Sequence, residues 1–159
     1  MTDPNQLCKS CADFLAQRHS AILATTNTAG IPYASYAPSV CFDGDIYIFV
    51  SELATHTRNL METGQASLLF IEDEAQAPQP FARRRLNLQC KAEEVTRKDT
   101  QFSQVMPRFR ETFGPVIDVL LNLNDFHLFC LHPYQGCYIE GFGRAFELEQ
   151  ETLRQICLN

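Results

Sequence analysis

The stretch Leu86-Asn87-Leu88-Gln89-Cys90-Lys91-Ala92-Glu93 constrains this chain more than any other. Apolar and polar residues alternate strictly, the period of a strand with one face in a core and the other toward water. A second apolar run, Ile46-Tyr47-Ile48-Phe49-Val50, does not alternate, so both of its faces must be covered. Asp43-Gly44-Asp45 separates that run from Cys41-Phe42, and Asp-Gly between apolar segments signals a tight hairpin.

The rest of the chain falls around these strands. Leu7, Cys8, Cys11, Phe14 and Leu15 recur at helical spacing over about 6–18. Ser20 to Thr26 and Ile31 to Val40 read as strands joined by a turn at Asn27–Gly30, with Pro32 and Pro38 at strand ends or an edge. A helix is expected over His56–Thr63, with Thr55 as N-cap and Gly64 as C-cap. Ala66 to Glu72 is a strand and Glu72 to Pro80 a polar loop. Asp99 to Phe113 is a helix that Pro107 should kink or split, and Gly114-Pro115 starts another, to about Leu123. Phe126–His132 is a strand, Pro133–Gly136 a turn, Cys137–Leu148 a bent strand pair, and a last helix begins at Glu149. About six strands joined mostly by hairpins, with about four helices, make an α+β chain, mainly β, and favour a small antiparallel barrel.

At 159 residues, 1–159 is expected to be one domain. With 45% hydrophobic residues it can bury a core. The net charge of -6 is a poor match for a nucleic-acid-binding surface. No apolar run is long enough to span a bilayer, and the first eighteen residues carry no leader-like apolar core, so a cytoplasmic protein without a membrane partner is expected. Seven cysteines, an odd number, then read as free thiols packed as small hydrophobes.

Thr55-His56-Thr57-Arg58-Asn59 opens a helix directly after the doubly covered strand. Free backbone N–H groups, hydroxyls and a guanidinium at such a place can cradle a phosphate; the alternative is a capped helix with a solvated Arg58. Phe81-Ala82-Arg83-Arg84-Arg85-Leu86 is the one dense basic run. Strand alternation would put Arg83 and Arg85 on one side, fit to hold a phosphate or carboxylate, and Arg84 on the other. Pairing with Glu72, Asp73 and Glu74 is the competing reading. Cys8 and Cys11 have redox or zinc spacing but lack a second pair and fit the apolar stripe of their helix. His19, His56, His127 and His132 form no metal motif; His127 and His132 face opposite sides of one strand, so no metal site is expected. Asp125 reads as a buried carboxylate or strand-end cap. Nucleophile-elbow, Rossmann and P-loop fingerprints are absent.

Ile31-Pro32-Tyr33-Ala34-Ser35-Tyr36-Ala37-Pro38, Ser51 with Thr55 to Leu60, Ala66 to Glu74, Phe81 to Leu86, Asp125-Phe126 and Gly141-Phe142-Gly143-Arg144-Ala145 occur in one order. Together they resemble the FMN-binding split-barrel family related to pyridoxamine-phosphate oxidase, and within it the haem-utilisation branch. The resemblance implies a six-stranded antiparallel split β-barrel with flanking helices, paired as a homodimer with its flavin or haem between subunits. It implies that the strand of Ser35, Tyr36 and Ala37 lines an FMN ring. Ser51, Thr57 and Arg58 then surround the FMN phosphate, completed by Arg83 or Arg85, and His56 is a further cofactor-binding candidate. The function so implied is FMN-dependent hydride transfer at flavin N5, with no acid or base of the chain standing out. Haem binding or degradation is the alternative, and a dimer binding a small molecule without cofactor is a third. Haem-degrading members carry their axial histidine in a C-terminal tail. No histidine follows His132 here, so haem-oxygenase activity of that kind is not expected.

Overall fold

The computed structural model describes residues 3–158. Strands β1 (Ser20–Thr26), β2 (Pro32–Phe42) and β3 (Asp45–Ser51) form a meander. Phe42 faces Asp45, which leaves Asp43 and Gly44 as a two-residue turn. Both have positive φ, 49° and 86°, the backbone that a primed hairpin turn requires. Pro38 sits where the β1 ladder ends and the β3 ladder begins, so its missing N–H interrupts neither.

Helix α2 (Thr55–Thr63) leads into β4 (Gln65–Ile71), and β5 (Arg85–Val95) pairs with it. The alternation of 86–93 is realised: Leu86, Leu88 and Cys90 are buried, while Asn87, Gln89 and Lys91 are less so. Strand β6 (Phe126–Gly141) pairs with β5, with β7 (Arg144–Glu149) and also with β3. The last pairing closes β1 to β6 into a six-stranded antiparallel barrel with β7 added at its side, the fold class expected, with one strand more than the sequence count.

The run Ile46–Val50 is covered on both sides, as its composition requires. Ile46, Ile48 and Val50 enter the barrel core with Leu23, Phe70 and Leu88. Tyr47 and Phe49 enter a second core outside the barrel, under α3 (Thr100–Phe113) and α4 (Val116–Leu121). Helices α1 (Pro4–Ala16) and α5 (Gln150–Ile156) pack together and put Cys11, Phe14, Leu153 and Ile156 into the barrel core.

Three local expectations are corrected. Residues 133–136 do not turn: β6 runs straight through, because its register with β5 slips between Gln89 and Cys90 and Tyr134 is absorbed as a bulge. Pro107 does not break α3. It lies on the exposed face, where water can serve the Ser103 carbonyl that loses its N–H partner. Thr55 is the first residue of α2 rather than its cap. Ala54 holds the cap position without a side-chain bond, while Gly64 closes the helix at φ 64°.

Of the glycines among the described residues, Gly136 is the most closely packed. A Cβ there would lie 2.9 Å from Leu88 Cδ2, 3.0 Å from Leu153 Cδ2 and 3.1 Å from the Asn87 carbonyl oxygen. The backbone oxygen cannot rotate away, so Gly136→Ala should cost about 1–3 kcal/mol, read as a lower urea midpoint with an unchanged slope. An unchanged midpoint would mean that β5 and β6 separate freely there.

Candidate functional site

One end of the β3–β6 ladder gathers most of the polar side chains singled out in the sequence. Ser51 ends β3 opposite Phe126. Its hydroxyl donates to Asp125 Oδ2 at 2.7 Å and accepts from the Leu53 N–H at 3.1 Å. The Glu52 N–H donates to the Asp125 carbonyl at 2.7 Å. Asp125 is therefore the strand-end cap that one sequence reading proposed. Thr57 is fully buried, and its hydroxyl donates to the Ser51 carbonyl at 2.6 Å, tying the first turn of α2 to the end of β3. The Asn59 side chain, one turn further, donates to Thr25 Oγ1 on β1 at 3.0 Å.

His56 lies half-buried with Nδ1 2.9 Å from Ser35 Oγ. Burial holds its imidazole below the usual histidine value, so the ring is neutral at pH 7. Ser35 and Tyr36 point to opposite faces of β2. Tyr36 stands on the outer face, 62% exposed and opposite Ile22, and Ala37 is buried in the barrel core. Arg58 is exposed and has no hydrogen-bond or ion-pair partner among the described residues. Leu53, in the loop between Ser51 and α2, is 89% exposed. Thus one hydrogen bond joins Ser35 to His56 and another joins Thr57 to Ser51, Arg58 follows them in sequence, Tyr36 faces the other way and Ala37 is buried in the core.

The basic run is turned largely onto Glu72. Arg83 donates twice to the Glu72 carbonyl, at 3.0 and 2.6 Å, and Arg85 Nη1 donates to the Arg83 carbonyl at 2.8 Å. The Arg84 N–H donates to Glu72 Oε1 at 2.6 Å, its guanidinium pairs with Oε2 at 3.3 Å, and it lies over the Phe14 ring. Strand β5 starts only at Arg85, so alternation does not relate Arg83 to it. The ion-pair reading holds for Arg84 with Glu72. No pair with Asp73 or Glu74 occurs among the described residues.

Sequence reasoning missed the setting of His127. Its Nδ1 bonds Glu94 Oε1 at 2.6 Å, while its Nε2, 3.2 Å from Glu52 Oε1, is buried without a hydrogen bond. Glu52 and Glu94 come from a loop and a strand remote in sequence, and no local signal joins them. Cys8 and Cys11 behave as the helical stripe implies: Cys11 is fully buried, its thiol pushed up to about 12 chiefly by burial, and Cys8 packs against the same core.

In chemical terms the cluster offers a neutral imidazole, an unpaired guanidinium, exposed apolar groups and hydroxyls already in use. The hydroxyls of Ser51 and Thr57 would have to leave protein partners to serve a phosphate, and the Asp125 carboxylate touching Ser51 would repel one. A porphyrin asks instead for apolar surface, an imidazole and cations toward its propionates. Leu53, His56 and Arg58 supply groups of these three kinds.

Comparison with known proteins agrees with the barrel and narrows its relatives. The profile of the pyridoxamine 5′-phosphate oxidase family matches residues 7–138. Haem oxygenase HutZ of Vibrio cholerae is 40% identical over 141 residues, 89% of this chain and 80% of that protein. The crystal structure of HutZ from Vibrio cholerae, described as a haem storage protein, superposes with a TM-score of 0.77 at 39% identity, covering 80% of this chain and 89% of that one. ChuZ of Campylobacter jejuni superposes with a TM-score of 0.87 at 30% identity over 96% of this chain, which spans 63% of the ChuZ chain. No helix among the described residues is long and apolar enough to cross a membrane.

Burial pushes the Glu72 carboxyl up, but the Arg84 N–H and guanidinium and the Arg18 charge outweigh it, and Glu72 titrates below the usual carboxylate range. A depressed native value contributes stability that is present above the unfolded pKa of about 4.3 and lost as pH falls through the native value. Arg84 is 42% exposed, so water screens the pair. Glu72→Gln should therefore cost about 1 kcal/mol at pH 7, with the gap from wild type closing below about pH 4 in urea titrations. A gap of constant size down to pH 2 would show that the charge of Glu72 does no work.

Proposed function

The chain belongs to the pyridoxamine 5′-phosphate oxidase family, and from that membership we propose that it is a haem-binding protein of the family's haem-utilisation branch. The observation that carries this reading is the 40% identity, across 89% of the chain, to a haem oxygenase. The geometry around Ser51 supports it. The FMN reading, put first from the sequence, draws its support from the family as a whole, whereas the haem alternative draws on the relatives most similar to this chain.

Haem, when bound, supplies the iron chemistry. The chain's residues hold and orient it. His56 presents a neutral imidazole toward the porphyrin, kept in place by Ser35. Arg58, without a protein partner among the described residues, pairs with a propionate. Leu53 covers apolar porphyrin surface. The stretch Ser51–Thr57 is stiffened by its own hydrogen bonds, which lowers the ordering cost of binding.

The cleft is completed by a second copy of the chain. On the outer sheet face Tyr36, Ile22 and Leu69 lie side by side across β2, β1 and β4, next to a row of Ala34, Ala24 and Ser67. Small and apolar residues on one sheet face suit a symmetric contact. Sedimentation should give twice the chain mass at micromolar concentration, and Ile22→Glu should give a folded monomer with weakened haem binding. Wild type sedimenting as a monomer would remove the shared cleft.

Titration of the purified protein with haemin and, separately, with FMN tests the ligand. Stoichiometric haem uptake with a Soret band is expected, and no saturable quenching of flavin fluorescence. Arg58→Ala should weaken haem about tenfold, equivalent to about 1.4 kcal/mol, and His56→Ala should shift the Soret band. Tight FMN binding without haem uptake would restore the flavin reading.

A further inference from the structure

At the opposite end of β3 from Ser51, three side chains of different chemistry converge. Asp45 and Ser51 are six residue steps apart along the strand, about 20 Å. The antiparallel register sets Tyr47 opposite Cys130, which brings Asp45 beside His132, and the period of two aims all four side chains at one face. His132 Nδ1 lies 3.0 Å from Asp45 Oδ1 and 3.8 Å from Cys130 Sγ. The three ligand atoms all fall within 4.8 Å of one another. A tetrahedral zinc with bonds of about 2.0–2.3 Å places its ligands roughly 3.3–3.8 Å apart, so little movement separates this arrangement from a coordination shell.

A second feature is independent of those three. The other ring nitrogen of His132, Nε2, faces Glu93 Oε2 at 3.4 Å, on the neighbouring strand β5. A carboxylate on the far nitrogen is how metal-ligating imidazoles are oriented and made more basic. Cys130 is 1% exposed and lies directly across the ladder from Tyr47, whose hydroxyl accepts from Gln101. An Asp–His ion pair alone needs neither the thiol nor the second carboxylate.

We propose that Asp45, Cys130 and His132 form a zinc(II) site that clips β3 to β6, with solvent in the fourth position. Sulfur, imidazole and carboxylate together suit zinc better than magnesium or calcium, which prefer oxygen alone. On binding, the Cys130 thiol gives its proton to solvent, the proton between Asp45 and His132 leaves Nδ1 so that the neutral ring keeps its N–H at Nε2 toward Glu93, and the Asp45–His132 hydrogen bond is exchanged for two metal bonds. An ion bound only by the folded chain raises stability by RT ln(1 + c/Kd) at free zinc concentration c, and here it does so across the ladder that closes the barrel. The site is independent of the haem reading.

Chelator-stripped protein titrated with zinc(II) against a chromophoric chelator, and with cobalt(II) by absorbance, tests this. One zinc per chain is expected. The cobalt form should show visible bands of a tetrahedral site and a near-ultraviolet sulfur-to-cobalt band. Cys130→Ser should remove the sulfur band. His132→Gln, at a side chain 40% exposed, should weaken zinc at least tenfold and abolish the rise in thermal midpoint that zinc gives wild type. The double variant Cys8→Ala, Cys11→Ala should keep every signal. Should Cys130→Ser fail to fold, His132→Gln decides alone. No stoichiometric uptake, or uptake unchanged in His132→Gln, would overturn the proposal.

Discussion

Closure of the barrel rests on the antiparallel ladder between β3 and β6, from Ile46 opposite Leu131 to Ser51 opposite Phe126. Strand β3 can serve there because every residue from Ile46 to Val50 is buried, with alternate side chains feeding two different cores. Removing a large side chain from either set would open a cavity at the seam, where the barrel and the α3–α4 layer share one strand. The same ladder fixes chemistry at both of its ends. Ser51 and Asp125 meet at one, and Asp45, Cys130 and His132 at the other.

This division explains what could be read from the sequence. The alternation at Leu86–Ala92 and the Asp43-Gly44 turn are local signals, and each specifies its strand without help from the rest of the chain. Segments whose form is set from outside were harder. Pro133 and Gly136 look like a turn, yet the bulge against Gln89 and Cys90 keeps β6 extended. Within the candidate site, Thr57 and Arg58 were legible because the start of α2 was. The Ser35–His56 contact, the clamp of Glu52 and Glu94 on His127, and the Asp45–Cys130–His132 group depend on pairings between remote strands. A Cys-x-His pair on one face of a strand was a usable hint for the last. It gains meaning only once β3 is known to lie beside β6.

The choice between flavin and haem turns on which groups are left free. Phosphate recognition needs donors that point outward, and here Ser51 and Thr57 hold the loop together instead. Their hydrogen bonds give a stiff rim that carries Leu53, His56 and Arg58. Such a rim matches a flat, largely apolar ligand with charge at one edge better than it matches a phosphate ester.

The proposed haem position can be tested directly, because ferric iron is paramagnetic and broadens the amide resonances near it. Comparison of the protein's amide spectra with equimolar haemin and with its diamagnetic gallium analogue isolates that effect. The account predicts broadening confined to residues 35–37 and 51–58, with the hairpin at 43–44 untouched. Broadening centred on the hairpin, or spread evenly over the surface, would contradict it.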